Sequence, residues 1–357
     1  MADNEKQFKF DVVIGNPPYQ EETIGDNKGY APPIYHKFLD ASYQIGNIVE
    51  LIHPGRFLFN AGSTPKAWNK KMLSDSHLKV LYYEQDSSKV FSNTDIKGGV
   101  AVTYHDVSKE YEPIGVFTPF EELRSILNKI CSRSDFKPFS DIIYAPENYK
   151  FTELMHVDHP DAEKKLSKGH KYDLKSNVFD KLEGIFLDSV PQDEREEYIK
   201  IYGLKKKKRI FQFIRRDYIK NDTNLNGWKV FVPKANGSGA LGEVLSTPLI
   251  GTPLIGTPLI GNTQTFISVG NFSNEYEANS TIKYIKGKFC RALLGILKIT
   301  QDNTKSRWAC VPLQDFTQNS DIDWTKSIPE IDQQLYKKYG LSEEEINFIE
   351  TKVKEMD

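Results

Sequence analysis

The chain has 357 residues, of which 39% are hydrophobic and 27% charged, and its net charge is −2. That length accommodates two or three domains, and the composition is ordinary for a soluble globular protein. Near-neutral charge gives no argument for nucleic acid from the total, so any such contact must come from local patches. No apolar run approaches the ~20 residues of a membrane span and no signal peptide opens the sequence, which predicts a cytoplasmic protein without a membrane partner. Cys131, Cys290 and Cys310 are far apart and odd in number. They suit a reducing compartment and show no metal-ligand spacing, so no metal is expected.

In chain order, the first informative stretch is Phe10 to Ile14, an apolar run that reads as a buried strand. Gly15 and the Pro17-Pro18 pair end it in a stiff, extended turn. Asn16 and Tyr19 are left at the strand's carboxyl end, where open α/β sheets hold their ligands. This arrangement suits methylation of an exocyclic amino group, whose nitrogen is a poor nucleophile because its lone pair is delocalised into the ring. Two acceptors, the Asn16 side-chain carbonyl and the Pro17 backbone carbonyl, can take its two hydrogens and localise that lone pair. The prolines limit reorganisation. Tyr19 offers a face to a base removed from its stack. The plainer alternative is a Pro-Pro turn after a core strand, with Tyr19 as packing.

Asn16-Pro17-Pro18-Tyr19 after a strand resembles the catalytic motif of gamma-class, adenine-specific DNA methyltransferases. The resemblance implies N6 methylation of a flipped adenine in double-stranded DNA, with S-adenosylmethionine as donor. Cytosine-directed enzymes usually have Ser before the Pro-Pro pair, so Asn16 favours adenine. A complete enzyme of this class carries a Gly-rich cofactor loop upstream. Only nine residues precede Phe10, and no convincing glycine loop follows elsewhere. The Asn236-Gly237-Ser238-Gly239 stretch lacks a clear helix after it. The expectation is therefore the carboxyl-terminal half of a larger enzyme that lacks the cofactor-binding half, which is either supplied by a separate polypeptide or belongs to a longer protein of which this is a piece.

Gln20 to Pro33 reads as a mobile loop, Ile34 to Tyr43 as a helix, and Ile48 to Ile52 as a strand closed by His53-Pro54-Gly55. Pro65 to Leu73 reads as a helix, and Leu78 to Tyr83 and Gly98 to Tyr104 as strands. This order is similar to the later half of the methyltransferase fold, a partial Rossmann-like α/β sheet. His53-Pro54-Gly55-Arg56-Phe57 and the stretch from Val90 to Val100 resemble segments of type IIG-like restriction-modification methylases. The resemblance places Phe91, Lys97 and Gly98 in the pocket of the flipped adenine. The alternatives are core packing for Phe91 and a solvated charge for Lys97. Arg56 suits a phosphate contact or a plain surface position, and His53 a structural one.

The first domain is expected over residues 1–107, an α+β target-recognition domain over 108–325, and a helical tail over 326–357. Glu121 to Ile130 and Glu194 to Tyr202 read as helices, the second ended by Gly203. Lys205, Lys206, Lys207, Lys208 and Arg209 precede a β-prone aromatic run that Arg215 and Arg216 follow. These are candidate phosphate contacts, as are Lys305 and Arg307 beside Trp308. The alternative is a solvated basic loop. Trp228 to Pro233 and Gln264 to Gly270 read as strands, and Ser280 to Ile299 contains a helix. Thr247 to Gly261 is three copies of Thr-Pro-Leu-Ile-Gly. Its period matches neither helix nor strand, so a loop or irregular ribbon is expected, with copy number altering loop length.

Ile328 to Tyr339 and Ser342 to Lys354 read as terminal helices, the second capped by Ser342 with an acidic first turn. The competing function is a non-catalytic DNA-binding or specificity polypeptide that needs a partner. An endonuclease is disfavoured. In Pro160-Asp161-Ala162-Glu163-Lys164 the Asp and the Glu-Lys pair are too close to come from two facing strands. The resemblance implies a prokaryotic, DNA-associated cytoplasmic protein.

Overall fold

The computed structural model describes residues 9–21, 31–192, 196–221, 223–236, 253–299 and 301–356. The chain is a mixed α/β protein of several sheets that divides into two compact units, Met1–Arg124 and Ser125–Asp357.

In the first unit, strand β1 (Phe10–Gly15) leads through helix α1 (Tyr35–Ile45) into β2 (Gly46–Pro54), which lies parallel to β1. Helix α2 (Lys66–Leu73), β3 (Leu78–Glu84) and β4 (Val100–Asp106) follow. The sheet order is β1-β2-β4-β3, with β4 antiparallel to both of its neighbours. Alternation along β2 puts Val49, Leu51 and His53 on one face, with Thr103 and His105 of β4 beside them. Helices α1 and α2 cover that face. Tyr35 of α1 stacks on His53 at 5.7 Å, Tyr43 stacks on His105 at 4.2 Å, and Trp68 of α2 packs edge-on to Phe57 at 5.2 Å.

The opposite face carries Ile48 and Ile52 of β2, Val102 of β4, and Phe10, Val12 and Ile14 of β1. These last three are 50%, 49% and 73% exposed, although the sequence predicts a buried strand here. Burial of both faces is the rule for parallel strands. β1 is an edge strand, and among the described residues nothing pairs with its outer side.

The second unit begins within helix α3 (Glu121–Cys131). One of its sheets joins β5 (Ile143–Tyr144), β8 (Trp228–Pro233), β9 (Leu254–Gly256) and β11 (Phe266–Phe272), all antiparallel, in the order β9-β8-β11-β5. Another joins β6 (Tyr198–Lys205), β7 (Lys208–Arg215) and β10 (Ile260–Asn262) in the order β10-β6-β7. The stretch expected as a helix up to Tyr202 is thus strand β6 from Tyr198. Ile199 and Ile201 are buried while Lys200 between them is exposed, a period of two that outweighs the charged run before it. Gly203 does not end a helix. It lies within β6, where a Cβ would come 2.7 Å from both Phe179 and Thr263.

The pentapeptide repeats are also more ordered than a loop. Part of the second copy forms β9 against β8, and part of the third forms β10 parallel to β6. Identical sequence therefore enters two sheets. Gly256 and Gly261 allow the close approach: a Cβ would lie 2.5 Å from the Phe231 ring and 2.9 Å from Ile201, respectively. The first copy lies outside the described residues, as do positions 22–30 of the predicted mobile loop and most of the Asn236–Ala240 turn.

The buried Lys229 of β8 ties this crossing together. Its Nζ donates to the carbonyls of Leu225 (2.9 Å), Ile260 (3.0 Å) and Thr257 (3.3 Å). Burial lowers its ammonium to about 7. Three carbonyl acceptors match the three donors of the charged form. Tyr202 stacks on Phe266 at 4.4 Å and on Phe211 at 4.8 Å.

Helix α4 (Glu275–Lys286) is followed at Gly287 by α5 (Lys288–Leu297), so the predicted single helix is two. The terminal helices α6 (Ile328–Lys338) and α7 (Glu343–Lys352) start on capping boxes at Ser327 and Ser342. Asp332 of α6 accepts from the Lys288 and Phe289 amides at 2.8 and 3.1 Å, capping α5. Replacing Lys229 by Met is expected to leave three carbonyls without their donor and to cost about 2–4 kcal/mol. Chemical denaturation measures this, and a loss below about 1 kcal/mol would show the clamp to be dispensable.

Candidate active site and nucleic-acid interface

Parallel pairing fixes where the first unit's connections emerge. β1 ends at Gly15 and β2 at Pro54, on the same end of the sheet. Because β4 is antiparallel, its first residue, Val100, lies opposite both Pro54 and Glu84, the last residue of β3. Asn16–Tyr19, Gly55–Phe59 and the Gln85–Gly99 connection therefore leave the sheet together.

Within this cluster Asn16 and Pro18 are exposed, while Pro17 and Tyr19 are half-buried. No hydrogen bond among the described residues engages the Asn16 side chain. The Tyr19 carbonyl accepts from the Ile34 amide at 3.1 Å, and the Glu21 amide donates to Pro32 at 2.9 Å. The two ends of the Gln20–Pro33 loop are thereby held beside the start of α1. The Tyr19 ring meets Phe91 edge-on, with centroids 6.4 Å apart. Its hydroxyl is buried without a partner, and burial raises its pKa.

Phe91 is placed by a small hydrogen-bonded loop. The buried Ser87 accepts the Phe91 amide on its carbonyl at 2.8 Å. Its hydroxyl donates to Thr94 at 3.0 Å and accepts from the Ile96 amide at 2.8 Å. Gly98 and Gly99, at φ +86° and +70°, form the turn into β4. A Cβ on Gly99 would strike the Glu84 carbonyl at 2.5 Å, so only glycine fits there. Tyr83 donates to the Gly98 carbonyl at 3.2 Å. Lys97 is exposed and pairs with Asp95 at 2.8 Å.

The structure thus brings Asn16, Pro17, Pro18 and Tyr19 to the same end of the sheet as Phe91, Lys97 and Gly98. A cavity of about 150 Å³ opens beside Tyr19, lined also by Tyr35, Arg56, Ser63, Thr64 and Asp95. Most of these carried no signal in the sequence, because single polar residues after a strand acquire meaning only when the strands converge. His53 is fully buried, with its Nε2 2.8 Å from the Thr103 hydroxyl. Burial lowers its pKa to about 4, consistent with a neutral, structural imidazole.

The candidate DNA contacts fall in separate places in the second unit. Lys206 and Lys207 form the two-residue turn of the β6–β7 hairpin, at φ +49° and +65°. With Lys208 and Arg209 they are exposed. Lys205 pairs with Asp188 at 3.3 Å. Arg215 lies at the other end of β7, roughly 23 Å away along the strand. It is occupied by Asp217 (2.6 Å), Asp158 (3.3 Å) and Glu196 (3.6 Å). Arg216 donates to the Ile219 carbonyl at 2.9 Å. Arg307 is largely buried, with its Nε 3.5 Å from Asp302 and its Nη1 donating to Leu297. Lys305 is exposed on a separate groove that also includes Lys234.

Residues 1–91 match the family described as Eco57I restriction-modification methylase. The stretch bearing Asn16–Tyr19, Arg56 and Phe91 is therefore similar to a restriction-modification methylase. No curated protein matches the chain. Among solved structures it is similar to the type IIG restriction endonuclease BpuSI, at 9% identity over 99% of this chain and 55% of that one, with a TM-score of 0.31. It is also similar to the type IIL restriction-modification enzyme MmeI in complex with DNA, at 10% identity over 96% and 56%, with a TM-score of 0.37. The chain spans just over half the length of each.

Proposed function

We propose that this chain carries the acceptor side of a DNA adenine-N6 methyltransferase of a restriction-modification system, with residues 108–325 selecting the DNA sequence. The observation that carries the reading is Asn16–Tyr19 at the carboxyl end of β1, beside Phe91 and within a stretch similar to a restriction-modification methylase. In this reading the Asn16 side-chain carbonyl and the Pro17 carbonyl accept the two hydrogens of the adenine amino group. The nitrogen lone pair would then be free to attack a methyl carbon, whose bond to the donor breaks as the new bond forms, and one amino hydrogen would leave as a proton. The prolines hold these acceptors in place before the base arrives. Tyr19 and Phe91 offer aromatic faces to a base turned out of the duplex.

S-adenosylmethionine would supply the methyl group. The described residues do not fit that donor by themselves, since among them no glycine-rich strand-turn-helix accompanies β1, no strand pairs with its outer edge, and Val12 and Ile14 are exposed. In the reading, a further stretch of polypeptide, in the same longer chain or a separate one, pairs with β1 and covers Phe10, Val12 and Ile14. It completes both the sheet and the donor site. The same open edge favours the second reading, a DNA-binding polypeptide that is inert without that half.

Expression with its native genomic neighbours, read by sequencing that detects N6-methyladenine, tests the reading. Wild type should mark adenine at one motif, and Asn16→Ala should lower the mark by about 100-fold or more. Adenine marking that survives Asn16→Ala, or marking at cytosine, would refute it. The hairpin gives an independent test. Replacing Lys206, Lys207, Lys208 and Arg209 by Gln should flatten the dependence of log affinity for duplex DNA on log salt by roughly 3. Arg215→Gln, already surrounded by carboxylates, should change that slope by less than about 0.5. Equal effects would contradict the assignment of DNA contact to the hairpin tip.

A further inference from the structure

Arg56 is the second residue of the short turn Gly55–Phe59 after β2, and its side chain runs between two glycines in the left-handed region, Gly62 and Gly98. A Cβ at Gly62 would lie 3.1 Å from Arg56 Cδ, and one at Gly98 would lie 2.7 Å from Cγ. The stem is therefore seated in a channel that side chains on those residues would close. At its end, Nε donates to the Lys97 carbonyl. That uses one of five guanidinium N–H groups. Among the described residues no carboxylate pairs with Arg56, and its two terminal nitrogens have no protein acceptor.

The rest of the cavity repeats this imbalance. Asp95, which lines it, is ion-paired with Lys97 at 2.8 Å. The Tyr19 hydroxyl is buried and unpartnered, and Ser63 adds another hydroxyl. Among the described residues the one charged group of the lining without an ion-pair partner is thus the Arg56 guanidinium, in a space of about 150 Å³. This is the volume of roughly five water molecules. A fixed planar guanidinium with free terminal N–H groups is suited to oxyanions held by two parallel bonds. Tyr19 also lines the cavity, so an anion here would be close to whatever lies on its ring.

We propose that this cavity binds the phosphate of the nucleotide whose base lies against Tyr19, with Arg56 as the residue that positions it. The proposal rests on the adenine reading and extends it from base to backbone. Arg56 fixes the extruded nucleotide at its phosphate, leaving Asn16 and Pro17 to engage the amino group.

The test titrates deoxyadenosine 5′-monophosphate and deoxyadenosine separately into the full chain, followed by calorimetry or ligand-observed NMR. Wild type should hold the monophosphate about ten-fold more tightly than the nucleoside. Arg56→Met should reduce that ratio to about two or less, Arg56→Lys should give an intermediate value, and nucleoside affinity should stay unchanged. Inorganic phosphate should compete with the monophosphate and not with the nucleoside. This arm needs no variant, so it stands even if Arg56→Met fails to fold. A wild-type ratio near one, a ratio unmoved in Arg56→Met, no competition by phosphate, or no saturable monophosphate binding would each overturn the proposal. Failure of the methyltransferase reading would appear separately, as loss of N6-methyladenine with this ratio intact.

Discussion

The parallel pairing of β1 with β2 is the constraint on which the candidate site depends. Val12 opposite Ile48 and Gly15 opposite Leu51 set the register, and that register brings Asn16 and Gly55 out at one end of the sheet. Antiparallel β4, inserted between β2 and β3, returns Gly98 and Gly99 to the same end. A slip of one residue would turn Val49 and Leu51 away from the helices and move every connection at that end. Side chains as far apart in sequence as Tyr19 and Ile96 thus line one cavity.

The same constraint leaves β1 at the edge of the sheet with exposed apolar side chains. Helices α1 and α2 cover one face through Tyr35, Tyr43 and Trp68, and the other face shows Phe10, Val12 and Ile14 to solvent. At about 25 cal/mol per Å² of apolar surface, covering three such side chains is a favourable term of a few kcal/mol. An unpaired edge beside them adds backbone donors and acceptors that a strand can satisfy. In the proposed reading both needs are met by the polypeptide that binds the methyl donor.

Much of this was legible in the sequence, and the failures have physical causes. The strands and helices of the first unit follow from apolar periodicity and from the breaks at Gly15, Pro54 and Gly46. The tail follows from Ser327 and Ser342, whose caps are local. Strand β6 was misread because the charged run up to Glu197 looks helical, while the alternation that decides it, Ile199 and Ile201 buried around Lys200, is short. The repeats were misread because three-residue strands arise from tertiary pairing and from Lys229, neither of which a five-residue period encodes. Charge was the least legible. Lys206 to Arg209 and Arg215 look alike in sequence, yet Asp158 and Asp217 close on Arg215, whereas among the described residues no ion pair engages the side chains of Lys206 to Arg209. Arg56 gains meaning only from Gly62, Gly98 and Lys97, which approach it through the fold.

The central claim is that this chain supplies the acceptor side and the DNA contacts, and that the donor site is completed across β1. Isothermal titration of S-adenosylmethionine into the purified chain, alone and with duplex DNA, tests it most directly. The account predicts saturable DNA binding and no saturable binding of S-adenosylmethionine to the chain by itself. Stoichiometric S-adenosylmethionine binding by the isolated chain would contradict it, because the donor pocket would then lie within these residues.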